Sequence, residues 1–290
     1  MKYVVCVKLT PDAEELDEIQ PEDVGSGHPN ATLVLNPWDE FAVEEALQLQ
    51  DRFEGETVAI TVGDAESIEA LKRAVAMGIE EAILLSDEAF EGSDAWGTAH
   101  VLAEAIRQIE GSDLVLTGRQ SVDGNSGLVP AGLAVKLGRP FVSQVAKVLD
   151  LTDESITVVR ALDEGMQTVR VKLPAVISVS KEINEPRLAS FMGVRKASRM
   201  QYPAKTAADL PGLDPGQFGS QNASPDSGRW RCSRVRSQKS EGPTDDCQKP
   251  EEKTRCTGGS SSCFLLLASG FWLLASGFWL LTKTLTCTHA

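Results

Sequence analysis

The chain has 290 residues, with 42 acidic side chains against 28 Lys and Arg and a formal net charge of −14. That balance argues against nucleic acid as a partner, because a phosphate-binding surface needs clustered cations to displace counterions. The charge is also uneven: residues 1–215 carry a net −17 and residues 216–290 a net +3, so the chain reads as two segments of different character.

Tyr3–Lys8 is a short apolar run fit for a buried strand. Cys6 within it reads as a small hydrophobe that could meet a ligand only through its backbone. The start of the sequence lacks a charged-then-apolar leader, so a cytoplasmic location is expected. Thr10–Asn30 is acidic, polar and rich in Pro and Gly, which predicts a loop; Leu33–Leu35 is too short to assign. Asn36-Pro37 opens a helix, Asn as cap and Pro in the first turn. Phe41, Ala42, Glu45, Ala46 and Leu49 supply its inward stripe. The adjacent acids Glu44-Glu45 point in different directions and, as a pair, read as solvated charge or caps.

Thr57–Val62 is the next strand. Asp64 caps a helix over Ser67–Met77, and Gly78 stops it. Glu81–Leu85 is a strand, Asp94 caps a helix over Ala95–Ile109, and Asp113–Thr117 is a buried strand ending in Gly118-Arg119-Gln120. A helix follows near Leu128–Leu137. From Val142 the pattern changes. Ser143–Leu149, Ile156–Leu162 and Met166–Val171 read as successive strands, with a turn at Asp163-Glu164-Gly165, before Ala175–Val179 returns to a buried strand. The fold class is α/β: a mostly parallel sheet flanked by helices, with an added β-hairpin region.

Ligands of open α/β sheets bind beyond the C-terminal strand ends. Cys6–Lys8, the Asn36–Asp39 turn (with Pro37 and Trp38) and Gly118–Gly127 should meet there. The last reads GRQSVDGNSG, and its backbone N–H groups before a helix could cradle a phosphate or simply form an ordinary polar loop. Arg119 could hold a phosphate or a neighbouring carboxylate. There is no Walker A loop, no GxGxxG and no HExxH. His100 reads as structural, His28 lies in the loop, and His289 lies near the end. No nucleophile–base pair or metal cluster emerges, so the chain reads as a binder rather than a catalyst. Asn184–Ala197 (NEPRLASFMGVRKA) reads as a loop. Phe191 and Met192, flanked by Arg187, Arg195 and Lys196, form either a partner anchor or, for Phe191, a side chain tucked into the core.

Taken in order, VVCVKLTPD, NPWDEFAVEEALQL, ALKRAVAMGIEEAIL, DLVLTGRQSVDG, VSQVAKV, DEGMQTVRVKLPAVISV and NEPRLASFMGVRKA resemble the β-subunit family of electron-transfer flavoproteins over about residues 1–205. The resemblance implies a Rossmann-like domain of the adenine-nucleotide-binding (HUP) type, paired with an α subunit that holds a redox FAD. It implies a nucleotide in this subunit, AMP in the common type or a second FAD in others, on Cys6, Asn36, Pro37, Trp38, Asp39, Val62, Gly63, Asp123, Gly124, Asn125, Ser126, Gly127, Leu128 and Val129. It implies electron flow from acyl-CoA-type dehydrogenases to a quinone oxidoreductase-like acceptor. It also makes the Asn184–Ala197 segment a docking loop with Phe191 as its apolar anchor. Many relatives carry an aromatic near the place of Ala13, which Ala13 cannot supply. Two other classes fit parts of the chain: a nucleotide-binding regulatory protein of universal-stress type, and a membrane-tethered interaction protein.

The resemblance stops before the end. Residues 206–262 read as a linker or disordered tail in place of the family's C-terminal arm, being polar and poor in aliphatic residues from Gly216. Five cysteines fall beyond residue 215 without CxxC spacing or a His pair, which argues against zinc. Residues 263–290 form an apolar repeat tail, in which Phe264–Leu281 is long enough to be a short membrane-span candidate. Yet Leu266–Trp272 and Leu273–Trp279 are both LLASGFW. The seven-nucleotide unit CTTCTGG, read through all three frames, gives Leu-Leu-Ala-Ser-Gly-Phe-Trp, so this tail reads as translated simple DNA repeat after a frameshift. Sequencing the gene should reveal a CTTCTGG tract; ordinary mixed codons there would exclude that origin.

Overall fold

The computed structural model describes residues 1–19 and 31–213. Among them the elements run β1 (Lys2–Cys6), β2 (Leu9–Pro11), β3 (Leu33–Leu35), α1 (Pro37–Phe53), β4 (Glu56–Val62), α2 (Ile68–Met77), β5 (Glu81–Leu85), α3 (Ala95–Arg107), β6 (Ser112–Gly118), α4 (Leu128–Leu137), β7 (Phe141–Leu151), β8 (Ser155–Leu162), β9 (Gly165–Lys172), β10 (Ala175–Val179), α5 (Phe191–Arg199) and β11 (Ala204–Lys205).

The central strands are apolar at nearly every position because both of their faces are covered. Alternate residues serve opposite layers. Tyr3, Val5, Leu114, Leu116, Ala175 and Ile177 join the core beneath α1 and α2. Val4, Cys6, Val115 and Val176 join the core beneath α3 and α4. Nine strands make one sheet in the order β11-β5-β4-β1-β6-β10-β7-β8-β9. Pairing is parallel from β11 to β7 and antiparallel through β7, β8 and β9. This is the expected α/β architecture, and the added hairpin is β8–β9, closed at Leu162↔Gly165 with Gly165 at φ 134°.

Several local expectations change for identifiable reasons. Leu9–Pro11 is not loop but pairs antiparallel with Leu33–Leu35, forming a two-stranded ribbon too short for periodicity to reveal. Asp64 caps a 3-10 turn, Ala65–Ser67, that leads into α2, accepting from the Ser67 N–H at 3.1 Å. α3 stops at Arg107, and the next N–H groups reach back three residues, to Ala105 and Ile106, before Gly111 turns the chain at φ 73°. Within the segment expected as a loop, Phe191–Arg199 is helical. Ser190 caps it by accepting from the Gly193 N–H at 2.9 Å. Gly193 lets the helix approach α2: a Cβ there would collide with the Ala76 carbonyl oxygen.

Residues 206–213 belong to the folded domain rather than to the linker expected from 206. Leu210 is buried in the α3-side core, and the Ala207 N–H donates to Asp87 at 2.9 Å. The rest of the expected linker, the repeat tail, His28 and His289 lie outside the described residues. Among the described residues, no helix is long and apolar enough to cross a membrane.

The centre and the edge of the sheet should respond differently to truncation. Ile177→Ala, in fully buried β10, is expected to cost about 2–5 kcal/mol by cavity formation. Met166→Ala, on exposed edge strand β9, should change stability by no more than about 0.5 kcal/mol. Denaturant unfolding of both variants measures the difference.

Candidate functional site

Because β1, β4, β6 and β10 run parallel, their C-terminal ends open on one side of the sheet. β1 continues there into Val7-Lys8, α1 starts there at Pro37, and β6 ends there at Gly118. Asp39, in the first turn of α1, is only 6 % exposed. Its Oδ2 accepts the Lys8 N–H at 2.9 Å and its Oδ1 accepts the Gly118 N–H at 3.1 Å. One carboxylate therefore ties the diverging ends of β1 and β6 to a helix N-terminus, whose dipole favours negative charge. Burial pushes the Asp39 carboxyl up to about 7, against hydrogen bonds from Asn36, Lys8 and Gly118 that favour the ionised form. Gly118 has to be glycine, since a Cβ would run into Asp39 and the Trp38 backbone.

Asn36 takes the N-cap position of α1, but its carboxamide does not cap the helix as expected. It reaches across to the loop after β6 instead. Nδ2 donates to the Gln120 carbonyl at 2.9 Å, and Oδ1 accepts the Val122 N–H at 3.2 Å. Pro37 has no N–H to satisfy, and the Asn36 carbonyl already accepts from the Asp39 N–H at 2.9 Å. The side chain is thus left to fix the loop. That loop is shaped further by Asn125 and Gly127 in left-handed conformations, at φ 52° and 58°, and by the Gln120–Asn125 side-chain bond of 2.7 Å. Lys8 crosses the mouth to the Asp123 carboxylate at 2.5 Å. Burial works to raise the Asp123 pKa, but Lys8, Ser121 and the Gly124 N–H together hold it below its ordinary value.

The sequence-derived site residues separate into two places. Cys6, Asn36, Pro37, Trp38, Asp39 and the loop from Asp123 to Gly127 lie at this strand-end edge, with Leu128 and Val129 opening α4. Cys6 faces the α3-side core, and burial raises its thiol pKa. Val62 ends β4, and Gly63 follows with its N–H bonded to the Leu85 carbonyl at 3.0 Å. α4 starts after Gly127, which has no side chain to cap it, and its first turn carries no acid. Its leading N–H groups therefore suit an anion. Arg119 lies 5.9 Å from the Trp38 ring and lowers the Glu182 pKa, though less than the Ser180 and backbone hydrogen bonds do. Lys8, Gln120 and Val122 organise the cradle yet were not singled out individually. For Lys8, the available signal was a cation immediately after a buried strand.

The second place is the α5 region. Phe191 and Met192 are 83 % and 67 % exposed, so Phe191 is not tucked into the core, and Leu188 and Val194 stand exposed beside them. Arg187 is held by Glu44, and Lys196 donates to the Ile79 carbonyl at 3.2 Å, while Arg195 is exposed. Glu44 and Glu45 are not solvated: they are 4 % and 2 % exposed. Arg187 and Asn184, 139 or more residues downstream, cover them, a pairing that helical position alone could not reveal. His100 is buried in α3. No group of His, Cys, Asp and Glu suited to a metal occurs among the described residues.

Asp39 provides a test of this construction. Asp39→Asn keeps the shape but offers one acceptor to two N–H donors, an expected loss of about 1–3 kcal/mol. A raised acid pKa means the folded state holds the proton more tightly than the unfolded chain. That stability is complete below about pH 4 and is lost as the pH rises through about 7. The penalty of Asp39→Asn, read from denaturant midpoints, should therefore be larger at pH 5 than at pH 8. An equal penalty would mean that the two backbone donors keep the carboxylate ionised throughout.

Comparison with known proteins agrees with the geometry. A family model described as "Electron transfer flavoprotein domain" matches residues 30–209. The electron transfer flavoprotein subunit beta of Mycobacterium bovis is 37 % identical over 225 residues, covering 76 % of this chain and 84 % of that protein. The caffeyl-CoA reductase-Etf complex subunit CarD of Acetobacterium woodii is 36 % identical over 226 residues, 78 % and 85 % of the two chains. Protein FixA of Bradyrhizobium diazoefficiens is 34 % identical over 215 residues, 72 % and 74 %. With most of each relative spanned at this identity, and with the nine-stranded α/β sheet underneath, the chain belongs to the electron transfer flavoprotein family, among its β-subunit and FixA members, whose role is electron transfer.

Proposed function

We propose that this chain is the β subunit of a cytoplasmic heterodimeric electron carrier. Its α-subunit partner holds FAD, and this subunit binds an adenine nucleotide of its own, AMP or a second FAD. The observation that carries the reading is the cradle, where Asp39 and Asn36 fasten β1, α1 and the 119–127 loop around one strand-end opening. The residues suit such a group. Gly118 lets the start of α1 close on the end of β6, the first turn of α4 has N–H groups suited to a phosphate, and Arg119 supplies positive charge at the rim, where Lys8 is paired with Asp123. The other side chains named there, Val62, Gly63, Asp123, Gly124, Asn125, Ser126, Leu128 and Val129, would line it.

The flavin supplies the redox chemistry when bound. This chain's residues do the rest. Asp39 and Asn36 keep the cradle's shape, Lys8 holds the loop through Asp123, and an apolar layer lies beneath β1 and β6. Electrons would come from acyl-CoA-type dehydrogenases and pass to a quinone oxidoreductase-like acceptor. The caffeyl-CoA reductase complex named for one relative supports a partner that acts on an acyl-CoA thioester. Phe191 and Met192, with Arg187, Arg195 and Lys196 around them, form the docking segment. Their exposure together on one short helix supports this, because a single exposed apolar side chain is ordinary and a cluster is not.

Co-expression with the α subunit, purification and analysis of nucleotides released on denaturation test the reading. One FAD and one AMP per heterodimer is the expected result for the common carrier type. Two FAD would make the 123–129 loop a flavin site, and absence of both complex and nucleotide would overturn the proposal.

A further inference from the structure

The exposed apolar cluster of Leu188, Phe191, Met192 and Val194 lies between two sets of tethers. On one side, Glu44 of α1 receives three hydrogen bonds from Arg187. The Arg187 backbone N–H reaches Oε2 at 3.2 Å, Nε reaches Oε2 at 2.8 Å, and Nη2 reaches Oε1 at 3.2 Å. Gln48 adds a bond to Oε1 at 3.0 Å, and Arg187 also touches Asp51 at 3.3 Å. Asn184 reinforces this side, its Nδ2 donating to both the Phe41 carbonyl and Glu45 Oε2 at 3.1 Å. On the other side, Gly193 packs on the Ala76 carbonyl, Lys196 donates to the Ile79 carbonyl, and Tyr202 Oη donates to the Ala197 carbonyl at 2.8 Å.

Burying two adjacent carboxylates is costly unless each is paired and hydrogen-bonded. A segment that needed only to cover α1 could do so with apolar side chains. The bidentate geometry gives something else, a fixed direction for the chain as it leaves Arg187. Glu44 lies on the helix whose start builds the nucleotide cradle. Eight residues, about 12 Å of helix, separate it from Asn36.

We propose that Glu44 is a positioning residue for partner docking: with Arg187 it clamps the 184–190 strap to α1, so that the exposed apolar cluster is held in a set position relative to the nucleotide cradle. The inference rests on the docking role given to Phe191 above. A clamped cluster has less conformational freedom to lose when a partner binds, and so binds more tightly for the same contacts.

Hydrogen exchange on the full chain tests the clamp without any partner. In Glu44→Gln, which keeps the shape but loses the charge, amides of residues 188–197 should exchange about tenfold faster, with β1 and β6 unchanged. Unchanged exchange in 188–197 overturns the proposal. In the complex with the α subunit, electrons can be delivered by a purified acyl-CoA dehydrogenase reduced with its acyl-CoA. Glu44→Gln should then raise the KM for the carrier roughly tenfold, because the released segment has to be ordered when the partner binds. Flavin content should be unchanged and kcat should stay within about twofold. On the free chain, Arg187→Gln should speed exchange in 188–197 to the same extent, and the double variant should be no faster than either single one. Loss of flavin or of kcat at unchanged KM would mean a purely structural pair and overturn the positioning role. Phe191→Ala separates the two ideas. If it leaves KM unchanged, the docking reading itself fails. If it raises KM while Glu44→Gln does not, the clamp alone fails.

Discussion

A single buried carboxylate organises the strand-end opening of the sheet. β1 and β6 last pair with each other at Cys6↔Thr117, and beyond that pair the backbone N–H groups of Lys8 and Gly118 need another acceptor. Asp39 supplies it to both at once. The consequence reaches past those two bonds. The carboxylate sits in the first turn of α1, so satisfying the strand ends also sets where the helix begins, and Asn36 then reaches the loop after β6. Three segments far apart in sequence become one opening through two side chains three positions apart.

The same helix carries a second buried polar arrangement farther along. Glu44 and Glu45 lie inside the structure because Arg187 and Asn184 return over them after the whole sheet has been completed. α1 is therefore fastened at its start to the cradle and in its middle to the strap that leads to α5. Charged groups are rarely buried without such partners. Their occurrence twice on one helix distinguishes α1 from α3, whose inward face is mostly apolar. The acidic composition thus includes internal acids, Asp39, Glu44 and Glu45, as well as surface charge.

Legibility followed the range of the interactions. Glu81–Leu85, Leu128–Leu137 and Ala175–Val179 have the bounds that their patterning predicts, because a buried strand or a helix between clear stops is specified locally. Asp94 caps α3 as its position suggests, accepting from two N–H groups. The largest departures from the patterning come from tertiary contacts. Leu9–Pro11 is a strand only because Leu33–Leu35 lies beside it. Asn36 looked like a cap because Asn before Pro commonly is one, and only the nearby loop draws its side chain away. Phe191–Arg199 contains a glycine that disfavours helix, and the helix exists because that glycine allows close packing on α2.

By itself the sequence determined the α/β class, the strand-end location of the cradle and the family resemblance, since these depend on hydropathy period and on contiguous motifs. It also indicated an apolar anchor at Phe191, as one of two readings. Tertiary structure decided that Phe191 is exposed rather than tucked into the core, which acids are buried and which side chains bridge the segments. Those outcomes depend on contacts between residues separated by 79 to 143 positions, and burial and pairing at that range are set by how the layers pack.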